Sequence, residues 1–395
     1  MNKPDIRFNG FNGEWEEKKI NEISEINPHS ELPVQFEYVD LESVTGTEMV
    51  SHRTERLESA PSRAQRLAQK GDIFYQTVRP YQKNNYYFNL DEKDYVFSTG
   101  YAQLRSKLDG NFFLSVLQSD KFVADVLENC TGTSYPAINP TTLGNLKVAF
   151  PDNAEQKKLG ALFSQIDSLI SSTKKEQDKL VALKKCMLQK MFPKKGSLVP
   201  EIRFKGFSGD WKLLNWKDVV NISTEMVNPQ EEVYQYLPHI APGNIESFTG
   251  LLHDNVKIVK DENLISGKFH FYKNDIIYGK INPQLGKYYF STCEGLTSAD
   301  AYVLNAKDDF AQDFLYVVIQ TKDFFKYSVS VSKRSGMPKI NRNQLNGYSF
   351  MAPSLPEQQK IGSYFQNLDN LISKQSAELE KLKNVKKTLL SKMFV

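Results

Sequence analysis

Cysteine is scarce in this chain: three in 395 residues, Cys130, Cys186 and Cys293, far apart and odd in number. That excludes a disulfide framework and a cysteine-rich zinc site, and a reducing cytoplasm is the expected location. No stretch approaches the roughly 18 consecutive apolar residues of a membrane span, so no membrane partner is expected. The opening stretch MNKPDIRFNGFNGEW has no basic-then-apolar signal segment, and export is not expected. The five histidines, His29, His52, His239, His253 and His270, show neither metal-ligand nor triad spacing and read mostly as surface or loop residues.

Catalytic motifs are missing as well. There is no Gly-x-Gly-x-x-Gly dinucleotide loop and no Walker-type phosphate loop. An amino-methyltransferase would need a glycine-rich cofactor loop and an Asn/Asp-Pro-Pro-aromatic motif. Asn282-Pro283-Gln284-Leu285 lacks the second proline and the aromatic, and reads as a turn. Asp5 with Glu17-Lys18-Lys19 has a spacing that a nuclease could use, but the second copy of this segment breaks it with Glu201 and Leu213-Leu214-Asn215. A surface frame is the better reading.

Strong basicity is also lacking. The net charge is +3, divided as −6 over residues 1–153, +6 over 154–195, zero over 196–355 and +3 over 356–395. A nucleic-acid partner would have to be met by local patches.

What the chain does have is a repeat. Residues 4–15 return as residues 200–211, with eight of twelve positions identical. AEQKKLGALFSQIDSLISS from Ala154 returns as PEQQKIGSYFQNLDNLISK from Pro356, with nine of nineteen identical. Both copies close alike, Lys184-Lys185 and Lys190-Met191-Phe192 matching Lys386-Lys387 and Lys392-Met393-Phe394. Between these anchors the likeness thins to Gly71-Asp72-Ile73-Phe74-Tyr75 against Asn274-Asp275-Ile276-Ile277-Tyr278, Arg79-Pro80 against Asn282-Pro283, and residues 133–139 against 335–341. Matched frames around mismatched bodies suggest two related modules with different ligands.

The bodies contain short apolar runs at 72–75, 147–150, 275–278 and 301–304, separated by Gly, Asn and Pro, which predict strands and turns. Residues 111–127 and 311–327 predict short helices. The bodies are therefore α+β, a mixed α/β class. The predicted division is a first body over 1–153, a helix in 154–195, a second body over 196–355 and a second helix in 356–395. Each tail has about 39 helical residues, roughly 58 Å long.

Both tails keep a heptad pattern. The first column holds Leu159, Ile166, Thr173, Leu180 and Met187, with Leu162, Leu169, Glu176, Leu183 and Lys190 three residues on. In the second tail the columns are Ile361, Leu368, Gln375, Leu382, Leu389 and Tyr364, Leu371, Glu378, Val385, Lys392. The repeated register and central polar layer favour pairing of the two helices with each other over packing on their own bodies alone.

The remaining chemistry is that of binding. Arg53, Arg56, Arg63, Arg66 and Lys70 gather five cations within 18 residues of an acidic block. Arg79, Tyr81, Lys83 and Asn84 share one loop, and Ser134 and Tyr135 belong to the facing turn. The second body offers Lys280, Asn282, Gln284 and Lys287 in the corresponding loop, then Lys333, Arg334, Ser335 and Lys339. Arginine can pair bidentately with guanine and Asn or Gln with adenine, while further cations hold phosphates. A lone cluster of this kind reads as a solvated face. Recurrence at equivalent positions of two modules favours DNA binding.

These motifs resemble the specificity (S) subunit of type I restriction–modification systems. The carrying residues are Glu155-Gln156 with Gly160 and Asp167, Glu357-Gln358 with Gly362 and Asp369, Ser62-Arg63-Ala64, Gly71-Asp72-Ile73 and Val78-Arg79-Pro80. The first helix departs slightly, Pro151-Asp152-Asn153-Ala154 preceding Glu155 where the second has Pro353 and Pro356. The resemblance implies that each body is a target recognition domain reading one half of an asymmetric, bipartite site in double-stranded DNA. It implies two long antiparallel coiled-coil helices separating the domains in a pseudo-twofold repeat and docking two methyltransferase (M) subunits. S-adenosylmethionine, ATP and Mg would belong to the M subunits and to restriction (R) subunits that can join, with no cofactor or metal bound by this non-catalytic chain. Two rival classes are a self-contained DNA methyltransferase or nuclease, and a coiled-coil scaffold that binds only protein.

Overall fold

Only one proline and two glycines interrupt the two tails, and both fold as long helices, Asn153–Lys190 and Leu355–Met393. Asp152 starts the first, its carboxylate accepting the Glu155 N–H at 2.9 Å; Pro356 occupies the first turn of the second, where its missing N–H costs nothing. The computed structural model describes residues 3–132, 134–333 and 336–395. The chain divides into two units, Met1–Lys175 with Ala377–Val395, and Glu176–Ser376, so each long helix contributes a part to both.

In each unit the two helix segments run antiparallel. In the first, Phe163 meets Phe394 with ring centroids 5.3 Å apart and Asp167 binds Lys386 at 2.5 Å. In the second, Gln177 donates to Ser376 at 2.5 Å, Gln375 to Glu176 at 3.3 Å, and Lys184 binds Asp369 at 2.5 Å. The two Lys–Asp pairs are repeat equivalents. Burial pushes the Asp369 carboxyl up from its ordinary range, and its Oδ2 has no hydrogen-bond partner. Such a pair adds little stability but penalises every register in which one charge is buried alone.

The helix seam corrects part of the heptad reading. Leu159, Ile166, Ile361 and Leu368 are buried, and Leu162, Leu180, Leu382 and Leu389 half-buried. Leu169, Leu183, Leu371 and Val385, however, are 53, 38, 48 and 43 % exposed. The second inward column lies one residue later: Phe163, Ile170, Gln177, Lys184 and Met191, and Phe365, Ile372, Leu379, Lys386 and Met393. Positions three and four residues on flank the same helix face. Leucines at the nearer position concealed a farther column whose lysines are inward because aspartates receive them.

The repeated frame locks each body to its helix. Arg7 makes a fork-to-fork pair with Glu155 (2.7 and 2.6 Å), and Arg203 does so with Glu357 (2.7 and 2.7 Å); both glutamates are fully buried. Gln156 accepts the Asp109 N–H and donates to Pro151 O, as Gln358 accepts the Ala311 N–H and donates to Pro353 O. A Cβ on Gly160 would stand 2.3 Å from Asp109 Oδ1, and on Gly362 2.2 Å from Asp313 Cγ, so only glycine permits this approach. The frame also closes the other helix end. Ile6 N–H donates to Lys392 O and Ile202 N–H to Lys190 O, both at 2.9 Å, satisfying carbonyls that a helix terminus leaves open. Trp15 packs edge-on to Phe394, and Trp211 to Phe192.

Removing one partner of a buried ion pair leaves an uncompensated charge, at a cost of about 3–5 kcal/mol. Arg7→Ala is therefore expected to lower the melting temperature by roughly 10 °C, and Arg203→Ala similarly, as read by calorimetry. Melting unchanged within a degree or two in either variant would contradict the lock.

Each body pairs a frame strand with the strand before its helix, Glu16–Lys19 with Lys147–Phe150 and Lys212–Asn215 with Ser349–Ala352. A four-stranded sheet follows, ordered Ser24–Ile26, Tyr101–Ser106, Asp72–Gln76, Tyr86–Tyr87 in the first body. Its counterpart is Val220–Ile222, Ala301–Ala306, Ile276–Gly279, Tyr288–Phe290. The second sheets differ. One has four strands, ordered Arg53–Arg56, Gln35–Val39, Tyr95–Ser98, Ala64–Leu67; the other has five. Each single helix predicted at 111–127 and 311–327 is two, Gly110–Gln118 with Asp120–Glu128 and Gln312–Gln320 with Lys322–Ser332. Ser119 and Thr321 break them by capping the second helix, accepting the Phe122 and Phe324 N–H groups. Two histidines are not surface residues: His239 binds Glu262, and His270 bridges Glu225 at 3.0 Å and Glu294 at 2.8 Å, both buried. Among the described residues no helix is long and apolar enough to cross a membrane.

Candidate nucleic-acid interface

The loop after Asp72–Gln76 turns through a short 3₁₀ segment, Pro80–Gln82, between two left-handed residues, Arg79 (φ 55°) and Lys83 (φ 56°). The second body repeats it as Pro283–Leu285 between Asn282 (φ 49°) and Gly286 (φ 56°). Proline presets the first turn residue, but a left-handed conformation costs a non-glycine residue about 1 kcal/mol or more. Internal hydrogen bonds hold it there. Buried Gln76 donates to Val78 O (2.7 Å) and Gln82 Oε1 (2.8 Å) and accepts the Asn84 N–H; buried Asn85 accepts the Gln76 N–H at 2.8 Å. Arg79 N–H donates to Pro136 O and Asn282 N–H to Pro338 O, both at 2.8 Å, tying each loop to a facing turn. Gln76 was not singled out from sequence; a run of amides around an Arg-Pro turn is its only signal.

Several expected contact residues are committed inside the fold. Lys83 Nζ donates to Gln118 O (2.8 Å) and binds Asp120 (2.5 Å); Asn84 Oδ1 accepts the Gly46 N–H; Lys287 Nζ donates to Ile245 O. These three hold the loop rather than offer free heads. Arg79 lies half-buried with its guanidinium 4.3 Å from the Tyr135 ring centroid, and Tyr81 and Tyr135 are 50 and 64 % exposed. Ser134 is exposed beside them. In the second body Gln284 is exposed and donates to Asn282 Oδ1 at 3.3 Å.

The five-cation group is not one patch. Arg53 and Arg56 occupy one edge strand of the second sheet and Arg66 the opposite edge strand. Arg53 is neutralised by Asp40 (2.6 Å) and Glu55 (2.8 Å), and Lys70 by Asp91 (2.6 Å). Arg56 and Arg63 are exposed and make no ion pair among the described residues. Arg66 is half-buried, its Nε without a hydrogen-bond partner, and burial pulls its guanidinium below the ordinary value. Strand order separated what the sequence had placed together.

The facing turn of the second body is the more cationic. Lys280 Nζ is 5.3 Å and the Arg342 guanidinium 5.5 Å from the Tyr302 ring centroid, and Lys339 bridges to Ile281 beside them. Lys333 is exposed; Arg334 and Ser335 lie outside the described residues. Arg342 went unnoticed in the sequence because the matched segment ends at Asn341, and Tyr302 was read only as part of the strand run 301–304.

The family model for the type I restriction modification DNA specificity domain matches residues 12–182 and again 208–384. The chain is similar to the EcoDI specificity subunit of Escherichia coli, 26% identical over 301 residues, covering 69% of this chain and 67% of that one. It is similar over nearly its whole length to the MjaIX specificity subunit of Methanocaldococcus jannaschii, at 22% identity, covering 96 and 92%. In structure it matches the S subunit of a type I restriction–modification system from M. genitalium with a TM-score of 0.64, 15% identity and coverage of 100 and 99%. A second solved chain, from work on complex assembly and conformational transition of the type I R-M system, matches with a TM-score of 0.50, 20% identity and coverage of 96 and 97%. With the family model spanning most of both halves, this chain belongs to the DNA specificity family of type I restriction–modification systems.

Proposed function

We propose that the chain is the sequence-reading subunit of a type I restriction–modification complex, with each body recognising one half of a bipartite, asymmetric site in double-stranded DNA. DNA sequence recognition comes with the family; the division between bodies is our reading of the repeat. The observation that carries it is the pinned loop, which recurs in both bodies with the same backbone but different outward groups. Arg79, Tyr81 and Tyr135 are presented by one, Lys280, Asn282, Gln284 and Lys339 by the other. An unchanged scaffold with changed side chains suits two readers of different sequences.

In this reading the chain is non-catalytic and directs chemistry carried by others. Two methyltransferase subunits dock along the long helices, where Leu169, Leu183, Leu371 and Val385 present apolar surface to solvent. Those subunits bring S-adenosylmethionine and modify an adenine extruded from the duplex; restriction subunits bring ATP and Mg.

Arg79 is assigned to base reading in the first half-site. Loss of one bidentate pairing removes about 1–3 kcal/mol of discrimination. Arg79→Ala should thus relax the first half-site and leave the second unchanged, as read by methylation profiling of genomic DNA from cells expressing the variant with its M subunit. Unaltered methylation at both half-sites would remove Arg79 from that role.

A further inference from the structure

We infer that Lys280 and Arg342, both over the Tyr302 ring, form with Lys339 on the strand bridge beside Lys280 a phosphate clamp in the second body that the first body does not possess. The clamp rests on the DNA-reading role above and gives that site a specific ligand, a non-bridging phosphate oxygen pair of the DNA backbone.

The two bodies build this corner on one backbone plan. Ile340 N–H donates to Lys280 O at 3.0 Å as Ile138 N–H does to Thr77 O at 3.0 Å. Lys280 N–H donates to Asp300 O as Thr77 N–H does to Gly100 O. Ile281 bridges Lys339 as Val78 bridges Ala137. In the sheet Tyr302 pairs with Tyr278 as Ala102 pairs with Tyr75. Thus Thr77, Ala102, Ala137 and Pro140 in the first body stand where Lys280, Tyr302, Lys339 and Arg342 stand in the second. Four neutral positions have become three cations and an aromatic ring.

None of the three makes an ion pair among the described residues. Arg342 donates to the carbonyls of Ile222 (2.7 Å) and Ser223 (2.6 Å), which fix its plane without cancelling its charge. Lys280 is half-buried. Burial, then Lys339, pull its ammonium below the ordinary value; Asp300 opposes them and Arg342 adds to the pull. The Tyr302 ring face offsets part of the repulsion. A phosphate oxyanion would supply what is missing, since charge-assisted hydrogen bonds to phosphate are the strong ones.

The test uses the full-length chain with its M subunit and a duplex carrying the methylated site, with affinity measured across a salt series. Lys280→Gln with Lys339→Gln should lower the slope of log affinity against log salt by about one unit, the roughly 0.9 expected for one phosphate no longer neutralised. Lys339→Arg should keep the slope, as should Lys205→Gln on the frame. A second arm melts the chain alone with inorganic phosphate, which should raise the melting temperature of the unmodified chain and not of the double variant. An unchanged slope in the double variant would overturn the clamp as a DNA-binding element; if the phosphate-dependent rise is nevertheless lost, the corner binds free phosphate instead. An unmodified complex that binds no duplex would overturn the DNA-reading role itself.

Discussion

Inserting Thr-Ala-Glu-Leu after Thr173 is expected to lengthen the gap between the two half-sites while leaving both half-site sequences as they are. Four helical residues add ~6 Å along one helix, and duplex DNA rises about 3.4 Å per base pair, so the upper limit is nearly two added base pairs. One is the expected value, because the second helix keeps its length and the coil must absorb a stutter. The position is chosen from the seam. It lies between Asp167, which pairs with Lys386 in the first unit, and Lys184, which pairs with Asp369 in the second, so neither ion pair is interrupted. The surrounding layer is already polar, with Gln375 donating to Glu176. Methylation profiling should return the same two half-sites with a longer spacer. A changed half-site, or an unaltered gap in a fully active complex, would contradict the helices' role as a ruler.

The second large effect is expected on halving the chain. In the first unit the end of the second helix supplies Lys386 to Asp167, and Met393 and Phe394 to the core around Trp15 and Phe112. A fragment of residues 1–195 lacks those groups but carries Lys184, Met191 and Phe192, which in the second unit serve Asp369, Trp211 and Phe314 in the same way. One copy can therefore complete another. Each buried Phe or Met is worth about 1.5–3 kcal/mol, enough to favour exchange over an open core. The fragment should sediment as a dimer and, with the M subunit, methylate an inverted repeat of the first half-site. A folded, monomeric and inert fragment would count against equivalence of the halves.

The repeated parts of the fold were legible because the two copies mark each other's boundaries. Glu155-Gln156 and Glu357-Gln358 marked the helix starts, and the strand predicted at 147–150 is the strand observed. What the motif does was not legible: the partner of Glu155 is Arg7, 148 residues away, and only the folded chain shows the pair. The outward leucines misled for a related reason, since period alone does not tell which of two adjacent positions faces a neighbour. The cation group at 53–70 failed through sheet order, which interposes Gln35–Val39 and Tyr95–Ser98 between its members. In the loops the sequence indicated the place but not the commitments. Lys83 and Asn84 look like ligand groups until Asp120 and Gly46 are found beside them.

The central claim is that each body reads its own half of the DNA site. Methylation profiling of genomic DNA from cells expressing this chain with its M subunit tests it most directly, with cells lacking the chain as control. The account predicts adenine methylation at one asymmetric motif, split into two defined half-sites around a gap of fixed length and free sequence, and present only with the chain. A single uninterrupted motif, or the same methylation without the chain, would contradict it.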